Sequence, residues 1–285
     1  MMSFAGGKKQ YLALVLLIFV LLFIFNNRPT LSCQPAPEVI VVENLPTIYG
    51  ITPTYARLTQ KADLVRLSQT LMLVKNFYWI VIEDSEEKTS LVTNLLKDSN
   101  IKYVHLNVKT YKPKNSSARG VEQRNLALQW LRNHLQNSED KTGVVYFMDD
   151  DNTYSLQVFD EMRKINKVGI WPVGLVGGMR VEMPEVKNGK VVGFNAVWQP
   201  KRPFPIDMAG FAINTTLFLE HPEAIFSRKV KSGLQESEIL RYVITREDLE
   251  PLAEECTKVY VWHTRTQKPV LSKNKKNLPP FTIEV

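Results

Sequence analysis

The chain has 285 residues, 44% of them hydrophobic, and a formal net charge of +7. That composition excludes a disordered polymer, and the positive balance points to an anionic partner: nucleic acid, a membrane surface, or phosphate and carboxylate substrates. Lysines and arginines are scattered rather than interleaved with aromatics, so no nucleic acid is expected. Two cysteines without CxxC spacing and four dispersed histidines (His105, His134, His221, His263) give no structural zinc pattern.

The first element is "YLALVLLIFVLLFIF", Tyr11–Phe25, an unbroken apolar run behind Lys8 and Lys9. As a helix it would span about 22 Å, short for a hydrocarbon layer of ~30 Å and suited to a thinner early-secretory membrane. A cleaved signal peptide is the alternative, but the following "NNRPTLSCQPAPE" offers no good small-x-small cleavage site. The expectation is a cytoplasmic tail over residues 1–10, a type II anchor over 11–25 and a stem over 26–46, with the remainder in the lumen. Cys33, in the stem, could bridge two chains there or stay free. In a lumen the sequons at Asn115 ("NSS") and Asn214 ("NTT") become candidate glycosylation sites.

Beyond the stem, strand-like and helix-like segments alternate. "TIYGITPTY" precedes a helix with Leu64, Leu67, Leu71 and Val74 on one face; "FYWIVIED" precedes "SLVTNLLKDS". "IKYVHLNV" precedes a helix over Val121–Leu135 with Leu128, Leu131 and Leu135 on one stripe, and "GVVYFMDDD" precedes "SLQVFDEMRKI". This rhythm predicts an α/β fold with a mostly parallel central sheet flanked by helices. After Gly169 short strands and turns take over, so residues 47–151 read as a nucleotide-binding half and 152–285 as a fused acceptor half.

Asp149, Asp150 and Asp151 stand at the carboxyl end of an apolar strand, where open parallel sheets bind ligands. Two such charges ~4 Å apart repel by about 1 kcal/mol in water and about 4 kcal/mol at an effective dielectric of 20. Strand alternation would send Asp149 and Asp151 to one side and Asp150 to the other. A hard divalent cation sharing a diphosphate would offset the rest. The alternative is a solvated turn in which Asp151 or Asn152 caps the next helix. Two further strand ends and a helix start add groups suited to phosphate: "VIED" ending in Asp84, "RGVEQRN" with Arg119 and Arg124, and "YVWHTRT" with His263 and Arg265.

From "ITPTYARLTQKADLVRLSQTL" through "RGVEQRNLAL", "VVYFMDDDNTYS", "WPVGLVGGMR", "RPFPIDMAGFA" and "LQES" to "VWHTRTQKPV", the chain resembles the animal beta-1,3-glucuronyltransferases, glycosyltransferase family 43. The resemblance runs in unbroken order over roughly residues 47–270. It implies a type II Golgi membrane enzyme with the GT-A glycosyltransferase fold. Such an enzyme uses UDP-glucuronic acid and Mn²⁺, inverts the anomeric centre and extends O3 of a terminal galactose, as a homodimer. Carried over by motif, Pro53, Thr54, Tyr55, Asp84 and Arg119 would cradle the uridine, although Tyr55 could instead be a core aromatic. Arg124 would face the donor sugar and its phosphates, Asp149 and Asp150 would bind donor hydroxyls, and Asp151 would ligate the metal. His263, Thr264 and Arg265 would close on the diphosphate.

The base implied by "LQES" is Glu236. Ser232 could cap its helix with Gln235 as the capping-box partner, and neighbouring Glu238 serves as a structural control. Glu182, Trp198, Arg202 and Asp207 would hold the acceptor, with Trp198 as a galactose platform or, alternatively, a core tryptophan. Trp198 and "VGLVGGM" lean toward members acting on Gal-Gal-Xyl of the proteoglycan linkage region on a core protein. "LQES" leans toward members acting on Gal-GlcNAc ends of glycoproteins or glycolipids. A non-catalytic glycan-binding protein is the rival of another class. The basic tail "SKNKKNLPPFTIEV" reads as flexible, and the resemblance implies that Phe281–Val285 reaches toward the partner's acceptor site.

Overall fold

The computed structural model describes residues 17, 18, 21, 45–111, 119–231, 233–271 and 284. It divides into two compact units, Met1–Glu43 and Asn44–Val285. The expected anchor falls almost wholly outside the described residues. Among the described ones no helix is long and apolar enough to cross a membrane. Asn115, Cys33 and Ser232 also lie outside them.

The second unit is built on a seven-stranded sheet. In chain order its first elements are β1 (Thr47–Thr54), α1 (Gln60–Leu71), β2 (Phe77–Glu83), α2 (Ser90–Asp98), β3 (Lys102–Asn107), α3 (Val121–Gln136) and β4 (Gly143–Phe147). After β4 come β5 (Thr153–Tyr154), α4 (Leu156–Met162), β6 (Val168–Ile170), β7 (Val173–Gly174), β8 (Val181–Lys187) and β9 (Lys190–Asn195). The chain closes with β10 (Phe211–Asn214), α5 (Thr215–Glu220), α6 (Gln235–Val243), β11 (Glu250–Pro251), α7 (Ala253–Cys256) and β12 (Val261–Trp262). The large sheet runs β11-β6-β10-β4-β1-β2-β3, and a smaller one runs β5-β12-β7-β8-β9.

β1 pairs in parallel with both β2 and β4, and β2 with β3, so the alternating pattern in the sequence does specify parallel strands. β10 enters antiparallel between β4 and β6, so the large sheet draws strands from both expected halves. Successive residues of β1 serve opposite faces. Tyr49 and Ile51 pack with Leu128, Leu131 and Leu135 of α3, whereas Ile48 packs with Leu64, Leu67 and Leu71 of α1. Those two leucine stripes are the ones the spacing predicts. Val74 lies past the end of α1, yet still packs on the same core. Strands buried on both faces are what a near-continuous apolar run such as "FYWIVIE" requires.

Candidate active site

Because β1, β2 and β4 are parallel, their carboxyl ends open on one edge of the sheet. Thr54, Asp84 and the aspartate trio all sit on that edge. The trio is not strand, however: β4 stops at Phe147, and the chain turns over Asp150 and Asp151, with Asn152 N donating to Asp149 O at 3.4 Å. The expected alternation of side chains therefore does not apply. Nor does Asp151 or Asn152 cap the next helix, whose N-cap is Ser155.

The chain's own side chains relieve the repulsion. Arg124 Nη2 donates to Asp149 Oδ1 at 2.8 Å. Asp150 accepts from Arg57 Nη2 at 2.7 Å on one oxygen and from Thr54 Oγ1 at 2.7 Å on the other. Burial still pushes the Asp150 carboxyl up from its ordinary value against those partners. Among the described residues, Asp151 alone of the three carries no ion pair; burial, then the charge of Asp149, raises its pKa.

The residues assigned to uridine take different states. Tyr55 is 50% exposed, not a core aromatic, and the Arg57 guanidinium lies 4.8 Å from its ring centroid. Pro53 lies within β1 beside Ile82. Asp84 accepts from Thr110 N at 2.8 Å and Thr110 Oγ1 at 2.7 Å, which fastens the loop after β3. Each of its oxygens keeps a second lone pair. Arg119 is exposed just before α3. Arg124 is buried in the first turn of α3, its Nη1 donating to Arg119 O at 3.2 Å. Gly120 precedes that turn at φ +70°, and a Cβ there would lie 2.5 Å from Arg124 Nη1. Glycine supplies both the backbone angle and the space.

A cavity of about 750 Å³ adjoins this edge. It is lined by all four residues assigned to the acceptor, by Glu236, and by His263, Thr264 and Arg265, which follow β12. Thr264 Oγ1 donates to Asp151 O at 2.6 Å, tying this segment to the acid turn. His263 Nδ1 lies 3.4 Å from Asp207 Oδ2, an ion-pair distance without hydrogen-bond alignment. Asp207 raises the His263 pKa against the opposing effect of burial, which favours a cationic imidazole. Arg202 Nη2 donates to Glu182 Oε1 at 2.8 Å in a pair with both side chains buried, and burial pushes the Glu182 carboxyl up. Arg202 also lies 5.1 Å from the Trp198 ring centroid and donates to Trp198 O. Trp198 is 37% exposed toward this cavity rather than part of the core. A Cβ on Gly233, at φ +82°, would fall 2.4 Å from the indole Cη2.

Glu236 opens α6. The helix starts at Gln235 with Leu234 as N-cap and no side-chain cap. Gln235 instead reaches back, accepting from Ser227 N at 3.1 Å and donating to Ser227 O at 2.6 Å, so the expected capping box is absent. Glu236 is half-buried as a residue, but its Oε2 is shielded from solvent and has no hydrogen-bond partner. Burial, followed by the charge of Asp207, pushes its pKa up to about 7. Glu238 is structural: it is buried and bonds Arg241 at 2.9 Å.

Among the described residues, no group of three or more His, Cys, Asp or Glu could cage a metal. One unpaired carboxylate with another close by suits an oxygen-seeking divalent ion that completes its shell with phosphate oxygens and water.

Asn214, the second sequon, ends β10 in a half-buried position. Its Oδ1 caps α5 by accepting from Thr216 N at 2.9 Å, and its Nδ2 donates to Ile165 O at 3.4 Å. Within the tail, Glu284 is described, and it contacts Lys61 and Asn94 of its own chain at 2.9 and 3.0 Å.

The glycosyltransferase family 43 model matches residues 67–267. The chain belongs to that family. It is 49% identical over 283 residues to galactosylgalactosylxylosylprotein 3-beta-glucuronosyltransferase I of Drosophila melanogaster, covering 93% of this chain and 92% of that protein. It is 50% identical over 254 residues to the 3-beta-glucuronosyltransferase 1 of Homo sapiens that carries the same galactosylgalactosylxylosylprotein name, covering 85% and 76%. Among solved structures, 76% of the chain aligns with 60% of TarS 1-349 of S. aureus, at 17% identity and a TM-score of 0.48. Within this family-43 chain, sequence reasoning missed Arg57, Asp63 and Gly233. The signal for Arg57 was its place three residues past Thr54 in "PTYAR".

Proposed function

We propose that this family-43 chain is an inverting beta-1,3-glucuronyltransferase that moves glucuronic acid from UDP-glucuronic acid to O3 of the terminal galactose in Gal-Gal-Xyl on a core protein. One observation carries the reading: Glu236, whose shielded Oε2 has no partner among the described residues and whose pKa is raised to about 7, faces the same cavity as His263, Thr264 and Arg265. A base near neutrality and cationic donors bordering one cavity are the two halves of a single displacement.

Uridine would stack on Tyr55 beside Arg57 and place polar edges against Asp84 and Arg119. Asp149 and Asp150, held by Arg124 and Arg57, would accept hydroxyls of the donor sugar and ribose on their free lone pairs. Asp151 would hold Mn²⁺, and a bound ion would neutralise charge building on the departing diphosphate. Trp198 would cover the apolar face of galactose, with Arg202, Glu182 and Asp207 on its hydroxyls. Glu236 then removes the proton from O3 as that oxygen bonds C1 of glucuronic acid and the C1–O bond to UDP breaks. His263 and Arg265 take up the charge of the released UDP. The Glu236 Oε2 is itself shielded from solvent.

The localisation and assembly that accompany this reading are a Golgi type II membrane protein, lumenal in its catalytic part and homodimeric. The apolar run behind Lys8 and Lys9 supports the anchor. Side-by-side assays with labelled UDP-glucuronic acid test the acceptor: turnover of a Gal-Gal-Xyl acceptor well above a Gal-GlcNAc acceptor is expected. The reverse preference would move the chain to the other acceptor class, and no transfer to either would remove the enzymatic reading.

A further inference from the structure

Asp63, in the first turn of α1, is fully buried and has been assigned no role above. Both of its oxygens are doubly occupied. Oδ2 accepts from Arg57 Nη2 at 2.8 Å and from Thr59 Oγ1 at 2.9 Å. Oδ1 accepts from Arg66 Nη2 at 2.8 Å and from Thr266 Oγ1. Arg66 Nη2 also donates to Thr266 Oγ1 at 2.9 Å, which closes a triangle. A carboxylate with all four lone-pair positions filled, two of them by guanidinium, has one preferred orientation and imposes it on its partners.

Apart from Arg66 of α1 itself, those partners belong to two pieces of the donor side, the loop after β1 and the segment after β12, and both pieces reach a third, the acid turn. Arg57 lies over Tyr55 and clamps Asp150 at 2.7 Å. Thr59 belongs to the loop between β1 and α1. Thr266 follows Arg265 directly, and Thr264 of the same segment holds the acid turn through Asp151 O. We propose that Asp63 is a positioning residue for donor binding: it fixes the base-stacking loop, the acid turn and the 263–266 segment in one arrangement. It touches no acceptor-side residue among the described contacts, so its influence falls on the nucleotide sugar and not on Glu236 or Trp198.

The inference rests on reading that edge as the donor site, and the test separates the two. UDP binding with Mn²⁺ is measured by calorimetry, alongside steady-state kinetics, on the full chain and on Asp63→Asn and Thr266→Val. Asp63→Asn turns an acceptor oxygen into a donor facing guanidinium or hydroxyl. It is expected to raise the KM for UDP-glucuronic acid about 10–100-fold, as loss of charge-assisted hydrogen bonds would, with the acceptor KM held and kcat reduced far less. Thr266→Val keeps the side-chain shape at a half-exposed position and removes one arm, with an expected rise of about 3–10-fold in the same constant. The double variant should fall short of the product of the two effects, because both cut the same link. Donor KM within 2-fold of wild type in Thr266→Val, or donor and acceptor constants worsening together in both variants, would overturn the role of Asp63. If Asp63→Asn does not fold, Thr266→Val decides alone. A wild-type protein that binds no UDP would instead overturn the donor-site reading itself.

Discussion

The edge proposed for the donor and the cavity proposed for the acceptor handle acidic groups in opposite ways. On the donor edge Asp149 and Asp150 are held by Arg124 and by Arg57 with Thr54, so two of three adjacent charges are settled before any ligand arrives. In the cavity Glu236 has no ion pair or hydrogen bond on its buried oxygen, and its neighbour Asp207 adds like charge. Preorganised acids bind and orient; an acid with a buried, unbonded oxygen is poised to take a proton. The third aspartate stands between these cases, unpaired yet beside Asp149, which is where a cation would be drawn.

The contrast can be broken most forcefully at Glu236. Glu236→Gln keeps the shape but cannot accept the proton, so kcat should fall by about 10²–10⁴-fold with UDP affinity unchanged. A parallel loss of UDP binding would show that Glu236 serves the donor instead. Next in size is the buried pair behind the acceptor. Glu182→Gln leaves the Arg202 charge uncompensated and should cost roughly 3–5 kcal/mol of stability, read by denaturant titration. Trp198→Ala should raise the acceptor KM about 3–10-fold and leave the donor KM alone, since the indole borders the cavity and not the aspartate turn.

The smallest effect is thermal. Glu236 holds its proton more tightly when folded than when unfolded, so folding stability declines as pH rises from the ordinary carboxylate range to about 7. Glu236→Gln lifts that burden, and its Tm should exceed the wild type by a few degrees at pH 8 and by little or nothing at pH 4.5. Equal Tm at both pH values would mean the carboxylate is solvated.

Much of this was legible in the sequence, and the failures are local. The parallel strands and both leucine stripes follow from apolar spacing, because burial on two faces leaves an unmistakable period. The acidic end of β4 was legible, but how the chain accommodates the aspartates was not. Strand alternation was extended past Phe147, whereas the chain turns there and long-range arginines, 25 and 93 residues away, supply the charge. Such partners have no signature in local spacing. Arg57 and Asp63 drew no attention in the sequence for the same reason. The capping box failed because Gln235 found Ser227, a partner the motif does not contain. Glu236 itself is unremarkable in "LQES" without the family, since the burial that raises its pKa comes from the fold.

The most direct test of the central claim is the pH dependence of kcat/KM with saturating Mn²⁺. Because the free enzyme must hold Glu236 deprotonated, the rate should fall tenfold per pH unit below about 7, and this limb should vanish from the residual activity of Glu236→Gln. A wild-type profile that stays flat from pH 8 down to the ordinary carboxylate range would contradict it.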